Sequence, residues 1–247
     1  MNGIVERMLD ILYPPHCPFC DEIVPARGKE KGTAEKMFPG GVCQSCRKKL
    51  RFVTDPYCMK CGKPLQDPAQ EYCTDCAKRT HFFEQGRSLL VYDDSVRYSI
   101  YRFKYGGRKE YAAVYAQLTL PVMQSFVRMI SPDMLIPVPL HRKREARRGY
   151  NQAQLYARRL GKLLSIPCRD DLAIRVKNTK PQKELDAAGR QNNLKKAFKI
   201  TGNDVKLKTI LLIDDIYTTG STMDALSQEL LAAGAAKVYF ITIACGT

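Results

Sequence analysis

The sequence predicts an α/β fold, a parallel sheet with helices on both faces, preceded by a small metal-binding domain. From about residue 86 onward, short apolar runs alternate with segments of helical periodicity, which is typical of such sheets. Before that point, eight of the 10 cysteines form four CxxC pairs. The 247 residues correspond to between one and two domains of about 150 residues. Hydrophobic residues at 45% and charged residues at 26% argue against a mainly disordered chain.

The sequence contains neither a predicted membrane-spanning segment nor a predicted secretory signal. No apolar run approaches the roughly 18 residues of a membrane-spanning helix, so no membrane span is predicted. The first residues include Glu6 and Asp10 and have no small-residue cleavage site, unlike a secretory signal. We therefore expect a cytoplasmic protein whose thiols stay reduced.

The paired cysteines predict two structural zinc sites. Each CxxC can place two thiolates on one metal, and two pairs complete the four-cysteine tetrahedron that suits Zn²⁺. Sequential pairing is the simplest arrangement, and a crossed pairing of the first pair with the third remains an alternative. Redox dithiols are disfavoured because no thioredoxin-like context surrounds the pairs. In the sequential arrangement the first site is Cys17, Cys20, Cys43 and Cys46, and the second is Cys58, Cys61, Cys73 and Cys76.

Residues 1–80 are expected to form a domain that depends on metal, because so short a region buries little core of its own. Apolar residues at helical spacing predict an N-terminal helix that packs on the ribbons, with docking to a partner as the alternative. These residues are Ile4, Val5, Met8, Leu9 and Leu12. Cys168 and Cys245 lie outside the CxxC pairs and are expected to be small buried residues rather than nucleophiles.

The elements of the second domain, residues 81–247, follow from periodicity and from turn residues. Strands are predicted where apolar runs are bounded by Gly or Asp, at residues 88–92, 134–138, 172–176, 197–200, 209–213 and 237–243. Helices are predicted at residues 95–105, 110–130, 151–164 and 221–233. The polar, basic segment 177–192 has no periodicity and predicts a long loop. Ligands of such sheets bind beyond the carboxyl ends of the strands, which directs attention to the residues after 138 and 213.

The segment after residue 213 has the composition of a sugar-phosphate site. Two adjacent carboxylates, Asp214 and Asp215, stand where the strand is predicted to end, and small hydroxylated residues lead into a helix. Backbone N–H groups and hydroxyls at a helix N-terminus can hold a phosphate, and Gly220 allows close approach of the backbone. Carboxylates would repel that phosphate but accept hydrogen bonds from sugar hydroxyls. A helix N-cap with unrelated acids is the alternative. No Walker-type P-loop is present.

The net charge of +15 is concentrated in the middle of the chain. Residues 142–199 contain 17 Lys and Arg against five Asp and Glu. Such a field favours an anionic partner, phosphate or nucleic acid, and a solvated surface that only confers solubility is the alternative.

Several motifs together resemble those of the ComF family, in which a double zinc ribbon precedes a type I phosphoribosyltransferase domain. The run LLIDDIYTTGSTM at residues 211–223 is similar to the phosphoribosyl-pyrophosphate (PRPP) motif of type I phosphoribosyltransferases. Further similar segments are FKYGG at 103–107, IPVPL at 136–140, RRGYNQ at 147–152 and the stretch 175–198. The resemblance covers essentially the whole chain. It implies the type I phosphoribosyltransferase fold, PRPP as a ligand and a role in DNA uptake during competence, with proteins of the competence machinery as expected partners.

The resemblance also implies roles for individual residues. Asp214 and Asp215 would bind the ribose hydroxyls, and the 5-phosphate would contact Thr218, Thr219, Gly220, Ser221 and Thr222. The loop after Val138 matches the position of a pyrophosphate loop, where Mg²⁺ is expected to bridge pyrophosphate and ribose. The residues expected on this side are Pro139, Arg144, Arg147, Arg148, Lys104 and Arg190. For any single cation among them, solvated surface charge is the alternative. The predicted loop at 177–192 would close over the site.

Two departures from family patterns limit the predicted chemistry. Thr218 stands where purine-type transferases of this fold carry an Asp that acts on the base, so no carboxylate of this loop can serve as general base. Asn2 and the zinc ribbons replace the N-terminal Cys and glutaminase domain of an amidophosphoribosyltransferase, so glutamine-dependent chemistry is not expected.

Two hypotheses from different classes follow. In the first, the protein transfers phosphoribose from PRPP to an unknown acceptor. In the second, it is a non-catalytic DNA-binding competence factor that keeps the PRPP pocket as a sensor or scaffold. Single-stranded DNA would then use a basic groove with aromatic side chains. The candidates for stacking are Tyr98, Tyr101, Phe103 and Tyr105, with a core-facing position of the three tyrosines as the alternative.

Overall fold

The computed structural model describes residues 14–24, 41–177 and 197–246. Its helices are α1 (Gln44–Arg47), α2 (Thr74–Lys78), α3 (Asp94–Tyr105), α4 (Tyr111–Ile130), α5 (Arg142–Arg148), α6 (Gln152–Leu164) and α7 (Ser221–Ala232). Its strands are β1 (Gln85–Val91), β2 (Met134–Pro137), β3 (Ala173–Arg175), β4 (Phe198–Ile200), β5 (Thr209–Tyr217) and β6 (Lys237–Cys245). The predicted N-terminal helix and nearly all of the predicted loop at 177–192 lie outside the described residues. Within the described ranges, no helix has the length and hydropathy to cross a bilayer.

The main sheet has four parallel strands in the order β1-β6-β5-β2, which confirms the predicted α/β class. The prediction that β5 ends at the two carboxylates is wrong. The strand continues through Asp214 and Asp215 to Tyr217, because β6 runs on to Cys245 and supplies backbone partners over the same length. The strand therefore holds both carboxylates in regular extended geometry.

The two short predicted strands, β3 and β4, do not join the parallel series. They pair with each other as an antiparallel ribbon, with Ala173 opposite Ile200 and Arg175 opposite Phe198. Residues 178–196, most of the chain between them, lie outside the described residues. The ribbon packs Ala173 and Phe198, together with the preceding Leu172, into the core on one side of the main sheet.

Alternate residues of the central strands pack against different layers, as the two-residue period of a strand requires. Leu211, Ile213 and Ile241 join a core with α3, α4 and α6. Ile210, Leu212 and Phe240 join a second core with α7 and the β3–β4 ribbon. Helices thus cover both faces of the sheet, which a parallel sheet needs because both of its faces are apolar.

Each cysteine-rich segment packs on a different face of the sheet. The first, around Cys17, shares the core of α3, α4 and α6, and Asp21 is bound there by Arg108 and by the Tyr111 hydroxyl at 2.7 Å. The second, around Cys58 and Cys61, shares the core of α7. These contacts join the zinc-ribbon region to both layers that flank the sheet.

The second segment also reaches the edge strand of the sheet through its backbone. The N–H of Gly86 donates to the carbonyl oxygen of Lys60 at 2.8 Å, and the Gln85 side chain donates to that of Met59 at 2.7 Å. Gly86 faces the ring of Phe240, and a Cβ at this position would lie 2.0 Å from a ring carbon. Glycine is thus required here by a close approach rather than by backbone conformation.

Replacing this glycine tests the packing between β1 and β6. We expect Gly86→Ala to lower the free energy of unfolding by about 1–3 kcal/mol, because the added methyl group overpacks a filled core. Thermal denaturation measures the change. Gly246→Ala is the matched control, since a Cβ there would meet no described residue within 4 Å other than its chain neighbours. Equal melting temperatures of wild type and Gly86→Ala would contradict the close approach.

Candidate functional site

The eight paired cysteines form two clusters, and the pairing is sequential. In each cluster the four sulfur atoms lie within 4.8 Å of one another, which excludes the crossed arrangement. The Cys20 and Cys43 sulfurs are 3.6 Å apart, and those of Cys61 and Cys73 are 3.7 Å apart. Four sulfurs placed about 2.3 Å from a tetrahedral Zn²⁺ would be about 3.8 Å apart, so both clusters fit structural zinc.

The two carboxylates of β5 lie at the carboxyl edge of the sheet, beside the end of β2. Lys104 of α3 contacts Asp215 with a distance of 2.8 Å between Nζ and Oδ1. Gln152, the first residue of α6, donates from Nε2 to the other carboxylate oxygen of Asp215 at 2.9 Å. The Gln152 Oε1 atom is buried and has no hydrogen-bond partner among the described residues. An unpaired buried acceptor beside a carboxylate suits a ligand that brings hydroxyl groups.

Asp214 has a different environment from its neighbour. Burial, and after it the charge of Asp215, raises the pKa of Asp214 to about 7. The N–H of Asp215 donates to Asp214 at 2.8 Å, and Lys104 and Arg175 also oppose the rise. A carboxylate that is costly to ionise alone becomes easier to ionise when a cation is bound beside it.

Three arginines continue from Asp214 along this edge. Burial lowers the pKa of Arg175 to about 10; the charge of Arg144 adds to this effect, and Asp214 opposes it. Burial also lowers the pKa of Arg144, as does the neighbouring Arg148. The Nε atom of Arg148 is buried without a hydrogen-bond partner within the part of the chain that the structure describes. Partly buried cations that disfavour one another are a site for a multivalent anion.

The hydroxyl loop, residues 218–222, comprises the connection after β5 and the first two residues of α7. Gly220 caps the helix in the left-handed conformation, with φ of 78°. Thr219 and Ser221 place their hydroxyl oxygens 2.9 Å apart, and Ser221 and Gly220 are buried. The loop thus combines hydroxyls with the N-terminal N–H groups of a 12-residue helix, as a phosphate-binding loop requires.

The segment after β2 differs from the predicted loop. Residues 142–148 form helix α5, which the side chain of His141 caps by accepting from the N–H of Lys143, and which Gly149 ends with φ of 79°. Only Val138 to His141 remain as a short connection between β2 and α5. The prediction missed the helix because its arginines carry no apolar periodicity.

The predicted pyrophosphate-side residues do not all come together. Lys104, Arg144 and Arg148 lie in or beside the site, whereas Arg147 is exposed. Pro139 is half-buried in the connection after β2. Arg190 lies outside the described residues.

The tyrosines of α3 are on the surface, so the alternative that placed them in the core is wrong. Tyr98, Tyr101 and Tyr105 are 55%, 61% and 50% exposed, whereas Phe103 is buried and cannot stack on a ligand. The rings of Tyr101 and Tyr105 are 5.1 Å apart. Arg148 lies 4.8 Å above the Tyr105 ring and donates to its hydroxyl at 2.9 Å. We call Tyr98, Tyr101 and Tyr105 the tyrosine stripe. The stripe lies next to the three arginines through the contact of Tyr105 with Arg148.

Two residues of the site were given no role by the sequence. Gln152 was expected only as part of a motif and a helix start, yet it binds Asp215. Arg175 was placed on a strand, and its position near Asp214 depends on the fold of the β3–β4 ribbon. The one signal for Arg175 is a cation inside an otherwise apolar strand pattern.

Two family models match the chain in succession. A double zinc ribbon domain matches residues 8–77, and a phosphoribosyl transferase domain matches residues 144–246. The first match contains both cysteine clusters, and the second contains the carboxylates and the hydroxyl loop.

Several curated relatives are similar to this chain. Competence protein ComFC of Bacillus subtilis is 32% identical over 211 residues, which are 82% of this chain and 83% of that protein. Competence protein F of Haemophilus influenzae is 40% identical over 109 residues, 43% of this chain and 48% of that protein. DNA utilization protein YhgH of Escherichia coli K12 is 34% identical over 142 residues, 56% of this chain and 62% of that protein. The matches therefore span about half to three fifths of the last two relatives.

The raised pKa of Asp214 predicts a pH-dependent cost in stability. The unfolded chain ionises this carboxyl near its ordinary value of 3.8, whereas the folded protein holds the proton up to about pH 7. Stability from this group is therefore lost as pH rises through the folded pKa. Without Mg²⁺, we expect Asp214→Asn to raise the melting temperature more at pH 8 than at pH 6. A gain that is larger at pH 6 would contradict the raised pKa.

Proposed function

The chain belongs to the ComF family of competence proteins, and from this premise we propose that it binds PRPP together with Mg²⁺ at the carboxyl edge of the sheet. We further propose that residues 81–247 act as a phosphoribosyltransferase on an acceptor that is still to be identified. Residues 1–80, with their two zinc sites, form the supporting ribbon domain in this proposal.

The observation that carries the proposal is the sequence of groups along one edge. A hydroxyl loop at a helix N-terminus, two adjacent carboxylates and a row of partly buried arginines follow one another there. PRPP presents the matching groups in the same order: a 5-phosphate, two ribose hydroxyls and a pyrophosphate. Two buried atoms, an acceptor on Gln152 and a donor on Arg148, have no hydrogen-bond partner among the described residues; the first lies beside the carboxylates and the second in the arginine row.

Each group has a defined role in this proposal. Asp214 and Asp215 accept hydrogen bonds from the ribose hydroxyls, and Lys104 and Gln152 hold the Asp215 side chain in place from α3 and α6. Each carboxylate oxygen can accept more than one hydrogen bond, so these contacts leave acceptor sites for a sugar. The hydroxyl loop holds the 5-phosphate, whose charge is kept away from the two carboxylates.

The pyrophosphate is expected at the arginines. Arg144, Arg148 and Arg175 stabilise negative charge that grows on the pyrophosphate as its bond to the sugar breaks. Carboxylate oxygens suit Mg²⁺, which would neutralise part of the same charge when it is bound with PRPP. The hydroxyl loop offers no carboxylate as general base, so in this proposal the base comes from outside the loop or from the acceptor itself.

Calorimetric titration of zinc-loaded protein with PRPP tests the proposal. We expect binding that requires Mg²⁺, and a loss of about tenfold or more in affinity for Asp214→Asn and for Asp215→Asn, because each removes charged hydrogen bonds. Asp94→Asn is the matched control, since Asp94 is exposed and pairs with Arg97 at the surface. Full affinity in the Asp214→Asn/Asp215→Asn double variant would overturn the proposal.

A second candidate function, binding of single-stranded DNA, is favoured by the tyrosine stripe. Three exposed aromatic rings lie along one helix, and Arg97 and Arg148 lie over two of them at 5.2 and 4.8 Å. Nonspecific single-strand sites combine such rings, on which bases stack, with cations that follow the phosphates. The names of the relatives, which refer to competence and DNA utilization, agree with this candidate.

Fluorescence anisotropy with a labelled oligonucleotide tests the stripe. We expect Tyr98→Ala, Tyr101→Ala and Tyr105→Ala each to weaken binding, since stacking of one base contributes about 1–3 kcal/mol. Binding should also fall steeply with salt. Tyr72→Ala is the control, because Tyr72 is a similarly exposed tyrosine of the second cysteine-rich segment. Equal affinity of the control and the stripe variants would remove the stripe from the binding surface.

A further inference from the structure

The second cysteine cluster lies next to the hydroxyl loop. Tyr217, the last residue of β5, immediately precedes that loop, and its hydroxyl lies close to Cys61 of the cluster. The Tyr217 ring stacks on Phe240 at 4.8 Å. Its hydroxyl fills the space beside Gly220, where a Cβ would lie 2.7 Å from the oxygen. One cysteine of the cluster therefore lies close to the residue that precedes the loop.

A second bridge runs from the cluster to the end of the loop. His81 is almost fully buried, with its side chain 1% exposed. Its Nε2 atom is 3.5 Å from the Cys76 sulfur, and its Nδ1 atom is 2.8 Å from a carboxylate oxygen of Asp224. Asp224 lies in the first turn of α7, and its N–H donates to the carbonyl oxygen of Gly220 at 2.8 Å.

The two bridges contact the chain at the two ends of the hydroxyl loop. Tyr217 anchors the chain where it leaves the strand, and Asp224 anchors it where the helix begins. The other oxygen of Asp224 accepts from the N–H of Phe82 at 3.0 Å, and the His81 ring stacks on Phe83 at 4.7 Å. The carboxylate thus has two partners from the segment that follows the cluster, and its position depends on them.

We propose that His81 and Tyr217 are positioning residues that set the hydroxyl loop for phosphate through the second zinc-thiolate cluster. Thiolates bound to zinc occupy fixed tetrahedral positions, and hydrogen bonds from the surrounding shell transmit such fixed positions to their neighbours. The loop then holds its binding geometry only when the second cluster is assembled. The inference rests on the proposed function in one respect, that the ligand of the loop is the 5-phosphate of PRPP.

The first cluster supplies a matched control. Its segment is held through Asp21, which binds Arg108 and Tyr111 near the start of α4 rather than the hydroxyl loop. Asp21→Asn therefore weakens the docking of a zinc ribbon without touching the loop. His81→Ala removes the bridge between Cys76 and Asp224.

Hydrogen exchange measured by mass spectrometry on full-length, zinc-loaded protein tests the coupling without any ligand. We expect His81→Ala to speed exchange in the peptide covering residues 217–225, while the zinc content stays at two ions per chain and the peptide covering residues 237–245 is unchanged. Asp21→Asn should leave both peptides unchanged. Unchanged exchange of the loop in His81→Ala would overturn the proposal.

Tyr217→Phe provides the second variant, which decides the question if His81→Ala loses zinc or fails to fold. It removes only the hydroxyl that lies close to Cys61 and keeps the ring on Phe240. Faster exchange of the loop in this variant supports the coupling, and wild-type exchange contradicts it.

Calorimetry with PRPP and Mg²⁺ then asks whether the loop geometry matters for binding. We expect His81→Ala and Asp224→Ala each to weaken binding about tenfold, because each breaks the same charged hydrogen bond. The double variant should bind no more weakly than either single variant, whereas losses that multiply would show independent effects and overturn the proposal. If wild-type protein fails to bind PRPP, the proposed function fails, and the exchange experiment still decides the coupling.

Discussion

Two ionisable carboxyl groups on consecutive positions of a buried central strand are the constraint around which the rest of the site is arranged. Because successive side chains of a strand point to opposite faces, the two groups need partners from different layers. Asp215 meets Lys104 of α3 and Gln152 of α6, both from the layer on one face. Asp214 has Arg175 of the β3–β4 ribbon near it, from the layer on the other face. Each face of the sheet thus contributes one cation. Both layers must be folded before the negative charges of the two carboxylates are compensated.

The zinc ribbons follow the same division. The first cysteine cluster shares the core of α3 and α4, and the second shares the core of α7. A region with so little apolar core of its own gains order from metal binding and from this docking. In return, each ribbon covers part of a layer that supports the carboxylates or the hydroxyl loop. The double zinc ribbon and the phosphoribosyltransferase domain therefore share packed cores and are not simply joined by a linker.

The sequence predicted the features that depend on local patterns of residues. It did not predict the features that depend on contacts between distant segments. The four strands of the main sheet and its long helices were predicted because their apolar residues repeat at the period of the element. The extension of β5 to Tyr217 was missed because it depends on β6 as a pairing partner. The surface position of the tyrosine stripe was left open, since aromatic residues at helical spacing fit a core equally well. The roles of Gln152 and Arg175 were invisible because their partners are remote in sequence.

The two candidate functions share one electrostatic feature and differ in how their ligands would affect each other. The arginine row joins the carboxylates at one end to Tyr105 at the other, through Arg144 and Arg148. If PRPP and DNA only compete for this positive field, each neutralises cations that attract the other, and binding of one weakens the other. If a stacked base on the tyrosine stripe is instead presented to the sugar as an acceptor, the two ligands make contact and favour each other. Thermodynamic linkage requires that PRPP affect DNA affinity by the same factor as DNA affects PRPP affinity. Weaker binding of each ligand in the presence of the other would indicate competition for the same positive charge, and tighter binding would indicate that the two ligands meet as donor and acceptor.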